Sequence, residues 1–112
     1  MTELDLLGKQ IAQAIFDVQM PLQTTRILDL AAFDRLDGYS RALARQLKGS
    51  EQLPRKVVND LYMVAKALLN EAPYSKDPAL IQQWATHLYL TFDLILLGEC
   101  HDDRPPGVAR VR

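Results

Sequence analysis

Cys100, His101, Asp102 and Asp103 stand side by side, and nowhere else in the sequence do a thiol, an imidazole and carboxyl groups meet so closely. Their adjacency works against cooperation. Neighbouring residues of an extended segment point to opposite sides, so Cys100 and His101 are not expected to converge on one reacting atom or one metal ion. The plain expectation is a polar stretch that follows a helix. The other histidine, His87, falls on the flank of the last predicted helix near Thr91 and Leu94. An imidazole bonded to a backbone or hydroxyl group at the edge of a core is expected there.

Helical bundles that hydrolyse through metal ions carry carboxylates and histidines at turn spacing on facing helices. Asp29, Asp34 and Asp37 lie near one another, but no histidine stands three or four positions away, and Arg26 and Arg35 are close enough to pair with them. A glycine-rich phosphate loop, a Cys-x-x-Cys pair and a nucleophile elbow are all missing. No catalytic residue, metal ligand or cofactor is assigned, and an enzyme is disfavoured. The competing class is a small metal- or nucleotide-dependent hydrolase with a site near Asp93, His101, Asp102 and Arg104.

Arg41, Arg45 and Lys48 stand at i, i+4 and i+7, opposite the Leu36, Leu43 and Leu47 face of their helix, and Arg55 and Lys56 follow across the turn. A solvated helix face is the plain reading. A docking site for an acidic protein surface or for nucleic acid is the sharper one. Nucleic acid is disfavoured, because the net charge is −1 and aromatic residues do not interleave with the basic ones. In the last residues Arg104, Arg110 and Arg112 alternate with apolar residues or proline. An arginine fork is expected to tie this tail to a carboxylate such as Asp93 or Asp103.

Helices must position all these groups. Leu7, Ile11, Ile15 and Val18 recur at steps of three and four, which predicts a first helix from Leu4 to near Pro21, with Asp5 and Lys9 able to pair on its other side. Leu6, Phe16 and Met20 form a second apolar strip, explained by packing beneath the following segment or by a partner. From Thr24 to Leu47, Phe33, Leu36, Ser40, Leu43 and Leu47 share a face of one helix or two, with Asp37-Gly38 as the weak point and Gly49 just past the end. Ser50 and Glu51 are read as the start of a third helix with Pro54 in its first turn. It buries Val57, Val58, Leu61, Val64, Ala65, Leu68 and Ala72, and Pro73 stops it.

Asp77-Pro78 is a strong start signal for a last helix that runs to Gly98. Leu80, Trp84, Leu88, Phe92 and Ile95 fall on one face of it, and Leu90, Leu94 and Leu97 on another. A helix apolar on two faces is either the central element of a bundle, which is the expectation, or carries a surface for another chain. The alternation from Leu88 to Leu96 leaves a strand over 88–97 as a minor alternative.

A chain of 112 residues fits one domain and buries roughly 65% of its unfolded surface. Its 48% hydrophobic and 24% charged residues exclude disorder and fibrous repeats. The longest apolar run, near Leu88 to Leu97, falls far short of the roughly 20 residues that span a bilayer. The single Cys100 closes no intramolecular disulfide, and no signal segment is expected, so the cytoplasm is the expected compartment. The fold expected is all-α, a compact bundle of four to five helices over 1–98, with 99–112 an extended tail packed on or fraying from the same domain. The function expected is a small non-enzymatic binding module of the immunity-protein, antitoxin or phage-inhibitor type, which occludes a partner surface. Its contact residues would come from Arg41, Arg45, Lys48, Arg55, Lys56, Leu90, Leu97, Arg104 and Arg110. The partner would be another protein such as a toxin or effector, or a second copy bound through the last helix.

Overall fold

The computed structural model describes residues 2–103, and over that span the chain is a bundle of four helices. They are α1 (Glu3–Thr25), α2 (Leu30–Leu47), α3 (Arg55–Glu71) and α4 (Pro78–Leu97). No strand occurs among the described residues, and 88–97 lies within α4, which removes the strand alternative. No helix is long and apolar enough to cross a membrane among the same residues.

α1 begins on a capping box in which Thr2 and Asp5 bond each other's amides. That use of Asp5 replaces the expected pair with Lys9. The helix does not stop at Pro21 but continues for a further turn. The proline removes one intrahelical bond, and Leu22 beyond it is buried in the core, which offsets the loss. Arg26 then turns the chain in the left-handed region at φ 59°, and Asp29 caps α2 through the Ala32 amide. α2 is one unbroken helix through Asp37-Gly38, and it starts at Leu30 rather than Thr24 because α1 occupies the residues before.

Gly49 takes φ 75° just after α2, as its position predicts. α3 starts later than Ser50, at Arg55 with Pro54 as its N-cap. Before it Ser50 closes a turn instead, with its amide on the Leu47 carbonyl and its hydroxyl on that of Gln52. Val57, Val58, Leu61, Val64, Ala65, Leu68 and Ala72 are all buried, and a short 3-10 turn around Pro73 ends the helix. Asp77 caps α4 as expected, and Gly98 ends it at φ 73°.

Each helix has two principal neighbours: α1 packs on α2 and α3, and α4 packs on α3 and α2. Arg35 meets Asp17 across α1 and α2, and Tyr62 meets Tyr89 and Phe92 across α3 and α4, so both pairs are antiparallel hairpins. Phe33 stacks on Trp84 with ring centroids 4.5 Å apart, early in both α2 and α4, so these two run parallel. The hairpins therefore lie side by side, with α4 diagonal to α1 and α3 diagonal to α2. This corrects the expectation that α4 is central: it is one corner among four. Its buried side runs through Ile81, Trp84, Ala85, Leu88, Thr91, Leu94 and Ile95, whereas Leu90 and Leu97 are 42% and 47% exposed.

Residues 101–103 do not extend. They coil into a 3-10 turn against α2, and the Gly49 amide donates to the Gly98 carbonyl at 3.0 Å. Asp102 and Asp103 make this possible, because their carboxylates reach the basic end of α2. Residues 104–112, with Arg104, Val108, Arg110, Val111 and Arg112, lie outside the described residues.

Candidate functional site

The adjacent reactive residues separate into different roles. Cys100 is a free, buried thiol whose Sγ lies 3.8 Å from Asp102 Oδ2, and its amide donates to Asp103 Oδ2. His101 turns instead toward α4, with Nε2 3.1 Å from Thr91 Oγ1. A thiol bonded to a carboxylate and an imidazole bonded to a hydroxyl form no nucleophile and base pair. Asp93, two residues from the buried Thr91, is exposed on the other side of α4, so the expected grouping of Asp93 with His101 and Asp102 is not assembled. Arg104 lies outside the described residues. Among those described, no group of three His, Cys, Asp or Glu side chains is placed to hold a metal ion.

The environment expected of His87 belongs to His101. His87 is exposed, because α3 and α2 cover other sides of α4, and it contributes its backbone carbonyl to the Thr91 hydroxyl. Burial pushes the His101 ring below its ordinary value, Arg41 and Arg45 add to that effect, and Asp37 and Asp102 oppose it. His101 Nδ1 and Asp37 Oδ1 are both buried without a hydrogen-bond partner.

The expected basic patch is largely neutralised. Arg41 pairs with Asp37 and Lys56 with Asp60 one turn along their helices, while Arg45 pairs with Asp102 and Lys48 with Asp103. Asp102 and Asp103 thus supply carboxylates to α2, while the contact expected of Arg104, Arg110 and Arg112 falls on residues outside the described ones. The Lys48 contact holds the Asp103 carboxyl below its usual range, helped by the Cys100 amide. Arg26 and Arg35 bind Glu71 and Asp17, not the aspartates nearest in sequence. Leu6, Phe16 and Met20 stay exposed, because α2 packs on the Leu7, Ile11, Ala14, Val18 and Leu22 stripe.

Besides a smaller hollow of about 380 Å³ lined by Ile15, Met63 and Ala67, two larger grooves stand out on the described surface. One, of about 510 Å³, follows the α1 and α3 seam past Leu4, Gly8, Ala12 and Val57, with charges of both signs on its rim. The other, of about 430 Å³, is lined by Leu53, Arg55, Val58, Asn59, Tyr62 and Phe92. Beside the second, Tyr62 lies 6.1 Å edge-on from Tyr89 and 5.5 Å from Phe92. Leu96, 57% exposed, follows Tyr89 and Phe92 on the same side of α4.

Comparison with protein-family models, curated proteins and solved structures finds no match.

Surface chemistry therefore has to carry the functional reading, and the second groove has the more distinctive chemistry. Tyrosine, phenylalanine and arginine are enriched where proteins bind one another, since they combine large apolar area with polar reach. Of the contact residues expected from the sequence, Arg55 alone lines this groove. Tyr62, Tyr89 and Leu96 were missed, although Tyr89, Phe92 and Leu96 at i, i+3 and i+7 are a readable signal, and Phe92 is half-buried rather than core.

Proposed function

We propose that this protein is a non-enzymatic binding module of the immunity-protein, antitoxin or phage-inhibitor type, which acts by occluding the surface of a protein partner such as a toxin or effector. The observation that carries this reading is the aromatic face of α3 and α4, where Tyr62 and Phe92 line a groove with Arg55, Tyr89 lies edge-on to Tyr62, and Leu96 is exposed on the same side of α4. The partner that fits presents an apolar side chain for the groove and a carboxylate for Arg55, which has no ion pair among the described residues. A cytoplasmic setting belongs to the same proposal, because Cys100 is a buried free thiol.

The test is affinity capture from the native host with the unmutated chain and with Tyr62→Ala and Arg55→Glu. Both substitutions leave the helical circular dichroism unchanged, and each weakens binding of a stoichiometric partner by about tenfold or more. Capture of no stoichiometric protein, or capture that ignores both substitutions, overturns the reading.

A second reading comes from Leu90 and Leu97, which stand two turns apart on the outer side of α4 and are both exposed. Such a strip suits a second copy of the chain across a two-fold axis. Pairing four of the basic residues with carboxylates leaves the nucleic-acid reading little positive surface to work with.

A further inference from the structure

We propose that the segment Gly98–Asp103 is a latch across the ends of α2 and α4, shut while the His101 ring is uncharged and released when the ring takes up a proton. The inference is independent of the binding proposal. Among the contacts that hold the latch are the Gly49 amide on the Gly98 carbonyl, Asp102 on Arg45, Asp103 on Lys48, and the ring on Thr91. Beneath them lies the Cys100 side chain, 2% exposed.

The ring's surroundings decide which charge state it tolerates. The Thr91 hydroxyl has one proton, and it goes to the His87 carbonyl at 3.2 Å. With that proton so placed, His101 Nε2 donates to Thr91 Oγ1, which leaves Nδ1 as the basic nitrogen. Nδ1 is buried and has no partner within bonding distance, so a proton added there makes a charged donor with nothing to accept it. α2 presents Arg41 and Arg45, which repel the new charge, and Asp37, which attracts it. The segment itself presents Asp102, also attractive, and α4 presents only the neutral Thr91 hydroxyl and His87 carbonyl. Burial and the arginines outweigh the carboxylates, and the ring's affinity for protons falls.

The sign follows from linkage. The shut state binds fewer protons than the open one, so closure is fully favoured above the ordinary histidine value of 6.5 and weakens progressively as pH falls below it. Asp103 stays ionised throughout that window, since its own pKa is lowered from 3.8. Loss of its pair with Lys48 is therefore a result of release rather than its cause.

NMR titration of the full chain tests this. The His101 ring titrates below the ordinary histidine value of 6.5, and the Gly49 and Cys100 amide shifts move with the His101 midpoint. Protection of those amides from exchange, corrected for intrinsic chemistry, falls across the transition. His101→Gln abolishes the amide transition. A His101 midpoint at or above the ordinary histidine value of 6.5, or amides that do not follow it, overturns the proposal without recourse to the variant. So does a transition that survives in His101→Gln.

Discussion

The hydroxyl of Thr91 is buried in α4 and bonds one backbone carbonyl and one imidazole nitrogen, so its two bonds tie the last helix to the segment after it. Thr91→Val keeps the shape and removes both bonds, leaving His101 Nε2 as a polar group without a partner. The expected cost is about 1–3 kcal/mol in urea denaturation, more at neutral pH than in acid. Thr86→Val removes a comparable bond to the Gln82 carbonyl, but at an exposed position, and is expected to change stability by under about 0.5 kcal/mol. Little of this was legible at the level of single residues. Both histidines flank α4 or its end, and only the path of the chain after Gly98 decides that His101 is folded in and His87 left out.

Helix ends were the most legible features, because a cap is a local bargain between a side chain and the amides within reach. Asp77-Pro78, Gly98, Gly49 and Pro73 all act where the sequence places them. Pro21 and Ser50 do not, since burial of Leu22 carries α1 past a breaker and Ser50 bonds a turn instead of a helix. Glycines separate the two cases experimentally. Gly38 lies mid-helix where an added Cβ meets nothing within 4 Å, so Gly38→Ala is expected to stabilise by about 0.5–1 kcal/mol. Gly98 sits at φ 73° with its added Cβ 3.7 Å from the Gly49 nitrogen, and Gly98→Ala is expected to cost about 1–2 kcal/mol. Thermal or denaturant unfolding measures both.

At the scale of the whole molecule, two antiparallel hairpins lie side by side, and this arrangement sets which apolar residues are left outside. The α3 and α4 hairpin exposes its aromatic face in one direction and Leu90 with Leu97 in another. If that leucine strip is a dimer contact, light scattering gives twice the chain's mass, and Leu90→Asp returns it to one. A monomeric unmutated chain ends the dimer reading and leaves the proposal for the aromatic face untouched. The α1 and α3 seam also shows how close small residues bring two helices. A Cβ at Gly8 would meet Val57 Cβ at 3.9 Å, an ordinary contact, so glycine is not required there.

By itself the sequence determined an all-α fold, the stripes that form the core and most of the points where helices stop, because periodicity and capping act over one or two turns. Tertiary structure decided that α4 is a corner rather than a centre, that Arg45 and Lys48 are paired with Asp102 and Asp103, and which histidine is partly buried. Those outcomes depend on contacts between segments distant in the chain. Several ways of packing four amphipathic helices satisfy the same stripes, and the choice among them rests on how whole faces fit together rather than on the spacing within any one of them.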